Sequence, residues 1–196
     1  MEFGDRYALS DAPFGQGSSP YSAPDPLGFA HFGSRIADLV PGGETLAPAA
    51  NPFPVPHVRR SSNLQFNVAS YGHTLLSEFY AMGGKMVVRE FHAPSEFTQL
   101  KEKVVINCTG YGARDLWKDE TLVPVRGQIG WLVPQPEVTY GVNYRGVQMI
   151  PRSDGIVIQM LEGGDMRGYN EANEVVDRAE AAEGIARIAE LYSRMR

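Results

Sequence analysis

A mixed α/β fold built around a large, mostly antiparallel sheet is what this sequence predicts, and three observations lead there. Apolar residues at helical spacing, Leu75, Leu76, Phe79 and Tyr80, are followed by two β-branched runs, residues 85–91 (KMVVREF) and 104–107 (VVIN). Beyond residue 123 the pattern changes to β-rich runs separated by turn signals, and the chain closes on a second helical pattern. At 196 residues, 43% of them hydrophobic, the chain can bury the core of one domain carrying an irregular extension.

Residues 1–60 are dense in proline and glycine and show little period of two or 3.6, apart from a helical stretch at 29–39. They predict an irregular loop region, packed on a neighbour through Phe14, Tyr21, Phe29, Phe32, Phe53 and Val55 rather than solvated. Residues 61–196 form the regular domain. Ser70 as N-cap and Gly83 and Gly84 as the stop predict an amphipathic helix over 71–82. Residues 85–91 and then 104–107, the latter short and buried, predict strands. With the helix they suggest a crossover unit of parallel strands that runs through a glycine turn into a short helix at 113–117. Residues 123–133, 147–150 and 156–161, separated by prolines and by Ser153-Asp154-Gly155, predict antiparallel strands. Residues 162–165 connect the sheet to a helix over about 173–194, whose apolar side carries Val175, Val176, Ala179, Ala182, Ile185, Ala186, Ile188, Ala189 and Tyr192. The last residues leave that helix without turn, cap or closing strand, which predicts an interrupted sequence.

Composition removes several functions. Net charge is −5 and the basic residues are scattered, so the footprint of a nucleic-acid binder is missing. No run approaches the roughly 18 apolar residues of a membrane span, and the start has neither basic flank nor apolar run, which predicts a cytoplasmic chain without membrane contact. The single cysteine, Cys108, cannot form an internal disulfide and predicts a small buried hydrophobe. His31, His57, His73 and His92 lack metal-ligand spacing, so no metal is expected.

The informative stretch is residues 104–116, VVINCTGYGARDL, where an apolar run delivers Gly110 and Gly112 to the start of a helix. Such a turn suits a phosphate or nucleotide edge, because glycine lets backbone approach closely and helix N–H groups stand unpaired. Asp115 stands where a G-x-G-x-x-G fingerprint needs its third glycine, so a structural turn and a ligand-facing turn both remain open. Arg126 and Arg152 offer forks for a carboxylate, or serve as structural ion-pair residues beside turns.

INCTGYGARDL, followed by Asp119, Leu122 and PVRGQ at 124–128, resembles the D-amino-acid oxidase family of FAD-dependent oxidoreductases. The likeness extends back through YGHTLL and GGKMVVREF and forward through MIPRSDGIVIQ, over about residues 60–195. It implies part of a Rossmann-like FAD-binding layer plus the large mixed sheet of a substrate domain. Hydride would pass from an amine-bearing carbon of a small amine or amino acid to the flavin, with oxygen as acceptor. By motif, Phe91, Thr109 and Gly110 fall on the nucleotide side, with Gly112 beside them, and Tyr144, the candidate catalytic residue, falls where the family has an active-site-lid tyrosine for the substrate carboxylate. Gln148 departs from the second tyrosine of animal D-amino-acid oxidases, and it joins Tyr144 and Arg152 as a substrate-side residue. The family's opening G-x-G-x-x-G element and its closing arginine and glycine motifs have no counterpart here. The sequence therefore reads as a partial chain, inactive alone, completed by flanking segments or paired as a homodimer. Two alternatives are a glycine- or sarcosine-type secondary-amine oxidase and a non-catalytic, flavoprotein-derived binding domain.

Overall fold

The computed structural model describes residues 2–15, 28, 35, 38–39 and 42–195. Tyr21, Phe29, Phe32 and His31, with nearly all of the helix expected at 29–39, lie outside the described residues. Seven strands form one open sheet: β1 (Glu2–Ser10), β2 (Glu44–Thr45), β3 (His57–Gln65), β4 (Gly130–Leu132), β5 (Gly141–Tyr144), β6 (Val147–Arg152) and β7 (Gly155–Met160). Their order is β2-β3-β1-β5-β6-β7-β4, antiparallel throughout except where β1 runs parallel to β5. Among the described residues there are three α-helices, α1 (Val68–Ala81), α2 (Gly112–Trp117) and α3 (Arg178–Ser193), so the expected mixed fold with a mostly antiparallel sheet is present.

Alternation along the strands decides the two faces, because successive side chains of a strand point to opposite sides. Val142 and Tyr144 of β5, Val147 and Met149 of β6, and Ile156, Ile158 and Met160 of β7 share one face with Leu9 and Val58. The helix α3 covers that face with Ile188 and Leu191, the latter fully buried. Gly184 permits the close approach, since a Cβ there would stand 3.2 Å from Ile158 Cγ2 and 3.4 Å from Met160 Sδ. Asp177 caps the helix by accepting from the N–H groups of Ala179 and Glu180 at 2.9 and 3.0 Å.

Five expectations need correction. The region over 1–60 is not irregular throughout: it carries β1, β2 and the start of β3, and Phe53 and Val55 close the core under them. Arginine, serine and asparagine in β1 and β3 hide the strand signal, because among the described side chains of these strands only Tyr7, Leu9 and Val58 pack in the core. Second, residues 85–91 and 104–107 form no regular structure and belong to no ladder, since among the described residues no strand lies opposite them. Val88 is 99% exposed and Val104 78%, and Cys108, expected buried, is exposed as well. Third, the first helix starts earlier, capped by Asn67 rather than Ser70, with the Asn67 side chain accepting from Ser70 N at 3.0 Å. Fourth, the last helix begins at Arg178, so Val175 and Val176 stand exposed ahead of it instead of lining its apolar side. Fifth, of the β-rich run at 123–133 only β4 forms a strand, with Val125 adding an isolated bridge to Tyr169.

Leu191→Ala empties the centre of the sheet–helix contact and is expected to lower stability by about 3 kcal/mol in urea unfolding. An unchanged unfolding midpoint would mean that α3 does not hold the sheet.

Candidate functional site

On the segment expected to face a nucleotide, Thr109 N and Oγ1 both donate to Asn107 Oδ1, at 3.2 and 2.8 Å, and turn the chain into α2. Gly110 has φ of 56°, the left-handed region that favours glycine, and nothing lies within 4 Å of where its Cβ would stand. Gly112 is the first residue of α2, its N–H held by Thr109 O at 3.1 Å. Beside this turn opens a shallow depression of about 440 Å³ bounded by Asn107, Thr109, Gly110, Ala113, Trp117 and Asp119. Asp119 is held below the usual aspartate range, chiefly because its carboxylate accepts from the Thr121 hydroxyl. Phe91 does not line the depression. Its ring packs on Phe97 at 4.9 Å, and Phe97 in turn reaches Trp117 at 5.8 Å, so Phe91 connects to the glycine turn through an aromatic chain.

The residues expected on the substrate side divide between the faces of the sheet. Tyr144 pairs with Val147, so Gln148, one residue on, points to the opposite side. Tyr144 is 1% exposed in the core, and its hydroxyl receives Arg194 Nη1 at 3.1 Å while Arg194 Nη2 reaches Pro54 O at 2.9 Å. Those bonds tie the end of α3 to the sheet. Gln148 is 7% exposed and stands in a cross-strand row with Asn143, 8% exposed, and Gln159. The row continues through Ala8 to Arg59. Asn143 and Gln159 escaped the sequence reading, although polar residues alternating with apolar ones in GVNY and GIVIQM carry the signal.

Arg152 lies on the same face as Gln148. Its Nε and Nη2 donate to the two carboxylate oxygens of Asp154 at 2.9 and 2.7 Å, and its guanidinium stands 5.2 Å from the Trp131 ring centre. Asn67 Nδ2 adds a 3.3 Å bond to Asp154, which joins the cap of α1 to the β6–β7 turn. Arg126 instead braces the approach to α3, its Nη2 donating to Gln128 Oε1 at 3.1 Å and to Val175 O at 2.9 Å. Gln128 completes a clamp, donating to Asp177 O at 2.8 Å and accepting from Asp177 N at 2.7 Å. The structure thus places Gln148 and Arg152 on one face of β6, four residues apart, and brings Thr109 together with Gly110 and Gly112, while Tyr144 lies on the face opposite Gln148. Among the described residues no group of histidine, cysteine and carboxylate side chains could hold a metal, and no helix is long and apolar enough to cross a membrane.

Over part of its length the chain is similar to an oxidoreductase. That relative is a D-amino acid oxidase from Dugesia ryukyuensis, 35% identical over 97 residues, a stretch that takes in 47% of this chain and 29% of the relative. The likeness therefore spans less than a third of that protein. No family model matches the chain.

Asp154 is held below the usual aspartate range by Arg152, first through their hydrogen bonds. A depressed carboxylate contributes stability above its unfolded pKa of about 3.9 and loses it as pH falls through the lower folded value. Asp154→Asn is therefore expected to lower the urea midpoint at pH 7, with the gap to the wild type narrowing as pH falls below about 3.9. A gap of equal size at both pH values would contradict the pairing.

Proposed function

We propose that this chain is part of an FAD-dependent oxidoreductase that oxidises an amine or amino acid. The observation that carries the reading is the 35% identity over 97 residues to a D-amino acid oxidase. Because that likeness covers 29% of the relative, turnover is assigned to the whole protein.

The residues around the glycine turn suit the nucleotide end of FAD. Open space stands over Gly110, the Thr109 hydroxyl is exposed, and Trp117 offers a ring at the rim of the depression. Thr109, Gly110 and Gly112 would hold that end, and Phe91 would support them through Phe97 and Trp117. When bound, the flavin supplies a hydride acceptor and passes its electrons to oxygen.

We assign substrate contact to the polar face of the sheet. Gln148 offers both a donor and an acceptor, so it can hold a neutral polar group where a tyrosine would offer one hydroxyl. Arg152, fixed by Asp154, keeps Nη1 without a partner among the described residues, which allows one charge-assisted bond to a carboxylate. Tyr144 supports this face from behind by anchoring Arg194.

Titrating FAD into the chain while following tryptophan emission tests the nucleotide side. Saturable quenching is expected, and it should be lost in Trp117→Phe and weakened at least roughly tenfold in Gly110→Val, whose β-branched side chain is strained at positive φ. A response that never saturates, the same in both variants, would leave the non-catalytic binding domain as the better reading.

A further inference from the structure

A cavity of about 460 Å³ lies between Tyr111, residues 124–129 and the lead-in to α3 at 171–176. Its volume is within the usual range for sites of small ligands. Three charged side chains line it: Arg126 from the 124–129 run, and Glu171 and Glu174 from the lead-in. Among the described residues Arg126 has no carboxylate within ion-pair distance, and its bonds go to two neutral acceptors, the Gln128 amide and the Val175 carbonyl. Both bonds use Nη2, so Nε and Nη1 remain as donors. Glu174 makes no bond or ion pair among the described residues, and one oxygen of Glu171 accepts from Asn173 N at 2.7 Å.

One guanidinium and two carboxylates lining the same open cavity discriminate by charge. A simple anion gains Arg126 but meets Glu171 and Glu174, whereas a simple cation gains the glutamates but meets Arg126. A molecule carrying both charges satisfies both sides. We propose that this cavity binds a small zwitterion, with its carboxylate on Nη1 of Arg126 and its ammonium on Glu174 and Glu171. The clamp formed by Arg126 and Gln128 on Val175 and Asp177 serves the site as well as the helix, because it ties the lead-in that carries both glutamates to the run that carries Arg126. This inference uses the charges around the cavity alone, so it stands or falls independently of flavin binding.

The test is calorimetric titration of the full chain with a series of unbranched ω-amino acids, from glycine to 6-aminohexanoate, with propionate and propylamine as single-charge controls. At least one zwitterion is expected to bind saturably at one site, with both controls at least roughly tenfold weaker. Glu174→Gln, at an exposed position that makes no bond in the fold, is expected to weaken that binding roughly tenfold and to leave the unfolding midpoint unchanged. Arg126→Gln should abolish it, and Arg126→Lys should restore part of it by returning the charge. No saturable binding by any member of the series overturns the proposal, as does equal affinity for propionate or propylamine, or binding indifferent to both Glu174→Gln and Arg126→Gln.

Discussion

The parallel ladder between β1 and β5 is the contact on which the rest of the structure depends. It joins residues 6–9 to residues 141–144 across most of the chain length and fuses the β2-β3-β1 side of the sheet to the β5-β6-β7-β4 side. Without it Tyr7 and Leu9 would lose their neighbours Val142 and Tyr144, and Phe53 would lose its edge-on contact with Tyr140. A pairing so distant in sequence incurs a large loop-closure entropy before it returns any burial, so it forms only if both sides present matched apolar faces.

That ladder also sets the register of the polar face. Once Ala8 stands beside Asn143, the row Arg59, Ala8, Asn143, Gln148 and Gln159 follows from strict alternation, and the apolar set is directed to α3. A slip of one residue would place Gln148 under the helix and Met149 on the polar side, so the core and the proposed substrate face are specified together. Tyr144 shows the same rule from the other side: four residues from Gln148 in sequence, it is separated from it by the thickness of the sheet, because the turn at Arg145 and Gly146 pairs it with Val147.

What could be read in the sequence followed from period and punctuation. The runs at 147–150 and 156–161 alternate around Ser153-Asp154-Gly155 and form β6 and β7, while the stripe through Ile185, Ile188 and Tyr192 forms much of the inner face of α3. The strands of residues 2–10 and 57–65 were hidden, because HVRRSSNLQ and EFGDRYALS carry too few apolar residues to show a period. Residues 85–91 and 104–107 misled in the opposite direction. Valine and isoleucine favour a pleated surface, but a strand exists only with a neighbour, and no local signal reports whether one is present. The clamp of Arg126 and Gln128 on residues 175–177 was equally hidden, since its partners lie 49 residues apart in sequence.

The chain thus divides into a sheet-and-helix unit and a segment, residues 85–107, whose apolar runs lack ladders. Hydrogen exchange of individual amides tests that division most directly, because ladder N–H groups exchange only on opening whereas unpaired ones exchange freely. The strongest protection is expected in β5, β6, β7 and α3, with residues 85–91 and 104–107 exchanging at close to unstructured rates. Protection of residues 104–107 equal to that of β6 would contradict it, for those amides would then be paired and the division would not exist.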